Sequence, residues 1–407
     1  MKQERPTEDP LFRQDVHAAL AEIPEGLDQL KEVSWLRKRL EPEPARAAAE
    51  LLQLRRRAKA RFDPGTLAYL TSRGLEQATP QAVADLRASL LKDRIGRATI
   101  HDATCGIGSD AIALARAGLE VSCSDADPRV LACAHANLER LGFAVSCRVA
   151  KADTLETGAD FLLIDPDRRP DGHRTLDPER WSPPLSVALQ LASRHRGAMI
   201  KLPPSFQPDR SLLGDIPSLF RWVSVNGELA EVGLWTGALV EEPCPKREAI
   251  ALLGRRGRGG VARLLGEEQP VEALEEEAAR RIRYLSEPDV AVINSGLLGE
   301  LCRRTGTRPV APGIAYLGGD RPADSPLLCC FRVLGTSTLD RKKVRALLAE
   351  HDVGPVTVKK RGHPDSSAVL EKRLRGPGKK HGLLAVTRLE ETHLAYLLER
   401  TSSPPAP

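Results

Sequence analysis

Three apolar runs that each end in an acid constrain this chain more than any other feature. They are Ala98-Thr-Ile-His-Asp102, which leads into Ala-Thr-Cys-Gly-Ile-Gly108, then Val121-Ser-Cys-Ser-Asp125, then Phe161-Leu-Leu-Ile-Asp165. Short apolar runs alternating with amphipathic helical stretches predict β-α-β units, which build a parallel sheet with helices on both faces. The first helix reads through Ile112, Ala113, Ala115 and Ala117, with Ser109 and Asp110 as candidate caps and Gly118 as its stop. Pro128 opens the next, through Val130, Leu131, Ala134 and Leu138 to about Gly142, and Val145–Val149 reads as a third strand. Ala198–Leu202 reads as the fifth strand, and Trp222–Asn226 with Ala230–Trp235 as a closing hairpin across Gly227. The predicted fold class is α/β, a doubly wound Rossmann-like sheet with its ligand site beyond the carboxyl ends of the strands.

The acids decide which ligand suits that site. Gly106 and Gly108 let the backbone pass close to a ligand, because glycine has no Cβ and tolerates positive φ. Asp102 stands just ahead of them, where a dinucleotide needs room for pyrophosphate, and the third glycine of the dinucleotide fingerprint is missing. A carboxylate repels phosphate and attracts a cation, such as the methionine ammonium of S-adenosylmethionine. Asp125, about twenty residues beyond the glycines, is placed to accept ribose hydroxyls, with Asp127 as its competitor. Asp153, after the third strand, is placed to reach an adenine amino group. Each acid alone reads equally well as a helix cap, and it is their order and spacing that favour a ligand site.

At 407 residues the chain exceeds one ordinary core. We expect a helical domain over 1–94, a cofactor domain over 95–254, a connecting mixed domain over 255–330 and a basic α+β module over 331–407. In the first, Thr79 reads as the N-cap of a helix that Pro80 begins and Val83, Leu86 and Leu90 continue. Upstream, Arg55, Arg56, Arg57, Lys59 and Arg61 read as a charged helix face, with RNA contact as the sharper alternative. Arg255-Arg-Gly-Arg-Gly-Gly260 has the composition of a linker. The last module is expected in β-α-β-α-β order.

The eight cysteines form no Cys-x-x-Cys pair, so neither zinc nor a disulfide framework is expected; Cys105, in the glycine loop, is the one placed beside ligand. No apolar run approaches a membrane span and the N-terminus lacks a signal segment, so a soluble, cytoplasmic protein without membrane contact is expected. Net charge is +5, but Phe331–Arg400 carries fifteen basic residues against eight acids, so this segment holds the whole basic excess. That excess favours a phosphate-bearing partner, against the plainer reading of a solvated surface.

Asp102-Ala-Thr-Cys-Gly-Ile-Gly108 and Asp125-Ala-Asp-Pro128 resemble the cofactor segments of class I S-adenosylmethionine-dependent methyltransferases. Within that class the chain is similar to bacterial proteins with a THUMP-like C-terminal domain, and its crevice to that of trimethylguanosine synthase-type RNA methyltransferases. Gly74-Leu-Glu-Gln-Ala-Thr-Pro80 matches the Thr-Pro segment that such enzymes hold near the cofactor. Tyr284–Ile293, Ile314–Leu317 and Val358–Gly362 are further matches. The resemblance spans most of the chain from about Arg55. It implies S-adenosyl-L-methionine as cofactor, held by Thr79, Asp102, Thr104, Cys105, Gly106, Gly108, Asp125, Ala126 and Asp153, and RNA as substrate of the basic module.

Asp165-Pro166-Asp167-Arg168-Arg169 marks the reacting end. Amino-methylating enzymes resemble one another in an Asp-Pro-Pro-aromatic motif; here Asp167 replaces the second proline and Arg168 the aromatic. Asp-Pro-Pro-Arg of RNA uracil C5 methyltransferases is nearer, yet no nucleophilic cysteine follows the fifth strand. Lys201, which alone reads as a lysine reaching out from a strand end, pairs in the third reading with Asp165 to activate a ribose hydroxyl. Asp165, Pro166, Arg168 and Lys201 are the candidate catalytic set, Asp165 orienting or deprotonating the acceptor and Arg168 holding phosphate or base. An RNA methyltransferase is the leading reading; a non-catalytic RNA-binding protein of the same fold is the alternative.

Overall fold

A computed structural model describes residues 9–401, apart from 170–172, 174, 207–212, 214–215, 242–245, 255–256 and 258. The N-terminal Met1–Pro6, Cys244, and Arg255, Arg256 and Arg258 of the expected linker lie outside the described residues. Two compact units divide the chain: Met1–Phe220 with Glu231–Cys244, and Arg221–Ala230 with Pro245–Pro407. Among the described residues no helix is long and apolar enough to cross a membrane.

The first unit opens with helices α1 (Gln14–Ala21), α2 (Gln29–Arg37), α3 (Pro42–Ala58), α4 (Ser72–Gln77) and α5 (Gln81–Ile95). Then come β1 (Thr99–Asp102), α6 (Ser109–Arg116), β2 (Glu120–Asp125), α7 (Pro128–Arg140), β3 (Ser146–Val149), β4 (Phe161–Ile164), α8 (Leu185–Ser193), β5 (Gly197–Leu202), the start of β6 (Ser218–Val225) and most of β7 (Glu228–Thr236). Strand order is β3-β2-β1-β4-β5-β7-β6, with β1 to β5 parallel and β7 antiparallel to β5. All four residues of β4 are buried, as a central strand covered on both faces requires. The hairpin turns through Asn226 and Gly227, both at positive φ, the two-residue geometry that matches strand twist.

α3 buries Ala48, Leu51, Leu54 and Ala58 in one core cluster with α7's Leu131, Ala134 and Leu138. Three cations of the basic run make internal contacts: on α3, Arg56 pairs with Glu32 and Arg55 donates to the Ala68 carbonyl at 3.0 Å, and beyond it Arg61 donates to the Leu75 and Ala78 carbonyls. α5 forms where expected and carries a charge on its buried side. It buries Val83, Ala84, Arg87, Ala88 and Leu91, and leaves Leu86 and Leu90 half-buried, so a cation enters the core.

The second unit holds the hairpin tip, β8 (Arg247–Leu253), β9 (Gly260–Gly266), α9 (Glu276–Arg280), β10 (Tyr284–Pro288), α10 (Val290–Asn294), α11 (Leu298–Thr305), β11 (Arg308–Pro309) and β12 (Leu317–Gly319). It continues with β13 (Leu328–Thr338), α12 (Arg341–Glu350), β14 (Val353–Arg361), α13 (Ser367–Arg373), β15 (Lys380–Leu389) and β16 (Thr392–Arg400). One sheet runs β11-β12-β10-β13-β16-β15-β14. The expected β-α-β-α-β order thus gains β16, placed between β13 and β15. Its Leu394-Ala-Tyr-Leu-Leu398 is apolar throughout because both faces are covered: Leu394, Tyr396 and Leu398 join one core, Ala395 and Leu397 the other.

Candidate functional site

β1 lies between β2 and β4 with Asp102 opposite Cys123 and Leu163, so Asp125 and Asp165 emerge at the same carboxyl edge of the sheet. Between β1 and α6 the chain turns through Gly106 at φ +55° and Gly108 at φ +90°. A Cβ at Gly108 would stand 3.2 Å from the Ala134 Cα of α7, which leaves glycine the residue that fits. Gly108 also occupies the N-cap of α6, so Ser109 and Asp110 are not caps but first-turn residues whose side chains turn inward. Ser109 Oγ donates to the Thr79 carbonyl at 2.6 Å.

Asp125 orders the glycine loop. Its Oδ2 accepts from the Gly106 amide and its Oδ1 from the Asp127 amide, both at 2.9 Å, and each oxygen keeps a second lone pair. Burial raises the Asp125 pKa against the pull of those amides. Asp127 caps α7, accepting from the Arg129 and Val130 amides at 2.9 and 3.2 Å. Cys105 is buried, its amide on the Ser124 carbonyl at 3.0 Å, and its thiol pKa is pushed up to about 12. Ala126 and Asp153 are exposed, Asp153 in the turn Ala152–Thr154.

Asp102 is 2 % exposed. Its Oδ1 accepts a long 3.4 Å bond from the Thr104 amide, and its Oδ2 is buried without any hydrogen-bond partner. Burial, with the charge of Asp110 adding to it, holds this carboxyl well above the usual carboxylate range. A buried oxygen without a partner leaves room for one hydrogen bond to a group in the crevice, and a cationic group would suit it.

At the acceptor end, the Asp165 amide donates to Thr104 Oγ1 at 2.6 Å. Its Oδ2 accepts from Lys201 Nζ at 2.5 Å, and the lysine side chain is only 15 % exposed. Lys201 therefore turns inward to Asp165 rather than out to solvent. Burial opposes its charge, and Asp165, Glu231 and Asp110 more than offset that, so its pKa is raised. Pro166 is buried and Arg168 half-buried. Asp167 exchanges two backbone hydrogen bonds with Ser182, at 2.8 and 2.9 Å, and its carboxylate takes Arg73 at 2.6 Å and Gln77 at 3.1 Å from α4.

The polar chain runs deeper than the sequence shows. Lys201 Nζ also lies 3.3 Å from Thr79 Oγ1, which donates to Asp110 Oδ2 at 2.7 Å. Thr79 is thus not the cap of α5; Pro80 holds that position, and the hydroxyl serves the cluster. Asp110 pairs with Arg87, whose other arm donates to Glu231 Oε2 at 2.5 Å. Sequence reasoning missed Arg87, Asp110 and Glu231 as a site. A charge on a buried helical stripe was the one available signal, and Glu231 enters only through the pairing of β7 with β5, Lys201 opposite Gly233. Among the described residues no cluster could hold a metal ion.

Known proteins resemble this chain along most of its length. Residues 328–400 match the family described as THUMP domain-like. Proteins from two Mycobacterium tuberculosis strains, CDC 1551 and H37Rv, each described as an uncharacterised S-adenosylmethionine-dependent methyltransferase, are 30 % identical over 356 residues, 86 % of this chain and 94 % of theirs. A putative methyltransferase of Porphyromonas gingivalis shares the fold at TM-score 0.72 and 18 % identity, over 96 % of this chain and 95 % of that one. The class I methyltransferase sheet, its glycine loop and this likeness along nearly the whole chain together make it a member of the S-adenosylmethionine-dependent methyltransferase family, with a THUMP-like C-terminal domain.

Proposed function

We propose that this methyltransferase acts on RNA, and that Asp165 and Lys201 handle the acceptor group. The observation that carries the reading is their 2.5 Å pair at the carboxyl edge of the sheet, on the strands next to the cofactor crevice. S-adenosylmethionine supplies an electrophilic methyl group, so the protein's task is alignment and removal of one proton. Lys201, held charged, donates to Oδ2 of Asp165, and Oδ1 is left to accept an N–H or O–H of the acceptor. Asp102, Asp125 and the loop Thr104–Gly108 hold the cofactor, with Ala126 and Asp153 toward its adenine end and Thr79 at its entry. Arg168 holds phosphate or base.

RNA is supported by the charge of the second unit. Arg341, Lys342, Lys343 and Arg345 on α12, Lys372 on α13, and Arg375 and Lys379 beyond it are exposed, and none has an ion pair among the described residues. α12 and α13 pack through Val344, Leu348, Leu370 and Leu374 into one core, so these cations lie over one face of the sheet. Incubation with methyl-labelled S-adenosylmethionine and RNA from cells lacking the protein should label RNA. Filter binding should weaken steeply with salt, by a log–log slope of about −0.7 to −0.9 per phosphate contacted. Binding without transfer to any RNA fraction would sink the catalytic reading, and flat salt dependence the RNA reading.

Asp102 gives a pH signature. Its carboxyl is protonated in the free protein at pH values where ordinary carboxylates are ionised, and a cation beside it favours the charged form. Cofactor affinity should therefore rise with pH from the usual carboxylate range up to the raised pKa of Asp102 and then level off, with proton release on binding in calorimetry. For the free protein the sign is opposite: a raised carboxyl pKa means stability lost as pH rises through that range. Asp102→Asn should flatten the affinity profile; a profile of unchanged slope would remove Asp102 from the site.

A further inference from the structure

Tyr284–Ile293, Ile314–Leu317 and Val358–Gly362 are distant in sequence, and each contributes to one cluster in the second unit. Glu287 comes from β10, Tyr316 from the residue before β12, and Lys359 and Arg361 from β14. Lys359 Nζ donates to Glu287 Oε2 at 2.5 Å, and Arg361 Nη2 stands 3.7 Å from Glu287 Oε1. The Arg361 guanidinium carbon lies 5.3 Å from the centroid of the Tyr316 ring. Tyr316 is 1 % exposed and its hydroxyl has no hydrogen-bond partner; the Arg361 Nε–H is likewise buried and without one.

Buried donors without acceptors are rare in folded proteins, and two on a pair of side chains in contact point to an absent group. Arginine can only donate, and burial, with the nearby charge of Glu287, keeps the Tyr316 phenol protonated, so both ask for an acceptor. Two cations face one carboxylate here, and that excess suits an anion. The cluster reaches solvent through Lys359 and Arg361, whose side chains are 36 % and 29 % exposed.

We propose that Tyr316, Lys359 and Arg361 form a phosphate-ester site in the second unit, occupied by one phosphate of the RNA substrate. The site rests on the RNA reading above for the source of the phosphate, and on its own geometry for the chemistry. Tyr316→Phe is the informative variant: the hydroxyl holds nothing in the free chain, so its removal leaves thermal stability intact while taking away one ligand contact. Arg361→Gln removes the charge.

Inorganic phosphate, followed by phosphorus NMR line broadening, and labelled RNA, followed by filter binding across salt, are titrated into the full chain and both variants. Each variant is expected to weaken RNA binding about tenfold, Arg361→Gln also making the salt slope shallower by about one, and both to abolish saturable phosphate broadening. Unchanged binding of both probes in both variants would overturn the site, a buried water then satisfying the two donors. RNA binding that is intact in the variants, with no phosphate binding by the unsubstituted chain, overturns the site and leaves the RNA reading standing. Phosphate binding lost in the variants, with no RNA binding by the unsubstituted chain, supports a site for a free phosphate ester and overturns the RNA reading.

Discussion

Arg87→Met is expected to destabilise the first unit by about 3–5 kcal/mol, the cost of removing one partner from a buried ion pair. Arg87 is 3 % exposed and stands between Asp110 of α6 and Glu231 of β7. Burial opposes its charge, yet those two acids more than offset that and raise its pKa. Methionine fills much of the same volume, so the loss comes from two carboxylates left in the interior without a countercharge rather than from a cavity. Pairing the change with Glu231→Met should recover part of the loss, because one of the stranded acids is then gone. Chemical denaturation of Arg87→Met, Glu231→Met and the double variant measures this. A loss below about 1 kcal/mol for Arg87→Met would show that water already reaches the cluster.

Asp165→Ala is expected to lower kcat/KM for methyl transfer by about 10²–10⁴, the usual contribution of a positioned proton acceptor. The Asp165 amide would still donate to Thr104, and Asp102 and Asp125 are untouched, so cofactor binding should change little. Lys201 would lose its 2.5 Å partner and keep Thr79. Lys201→Met should therefore reduce transfer too, and the double variant should fall by less than the product of the two, since the residues act as a unit. Loss of cofactor binding in Asp165→Ala would move this acid from the acceptor to the crevice. Transfer reduced by less than tenfold would remove it from the chemistry.

The acids at the strand ends were legible because each closes an apolar run, and strand ends meet at one edge of a parallel sheet whatever their separation in sequence. Helix caps were less so. Ser109 and Thr79 have the residue type of a cap, but the backbone placed Gly108 and Pro80 there and released both side chains for other partners. The inward place of Arg87 on α5 was not legible for a related reason: no helical period marks a charge as buried, and Arg87 is inward because two acids from other elements meet it there. β16 escaped because an unbroken apolar run carries no period, and only its place between two strands made it one.

Local pattern alone determined the α/β class, the glycine loop and the three acids of its edge, since these depend on the order of residues within a β-α unit. Tertiary structure decided which charges share an environment. Glu231 reaches Arg87 through strand pairing, Thr79 from the loop before α5 joins Lys201 of β5 to Asp110 of α6, and Tyr316 meets Arg361 from stretches that no local period connects. Burial is the physical reason: a side chain's charge state and its need for a partner depend on what surrounds it in space, and sequence spacing carries that information only within a helix turn or along a strand.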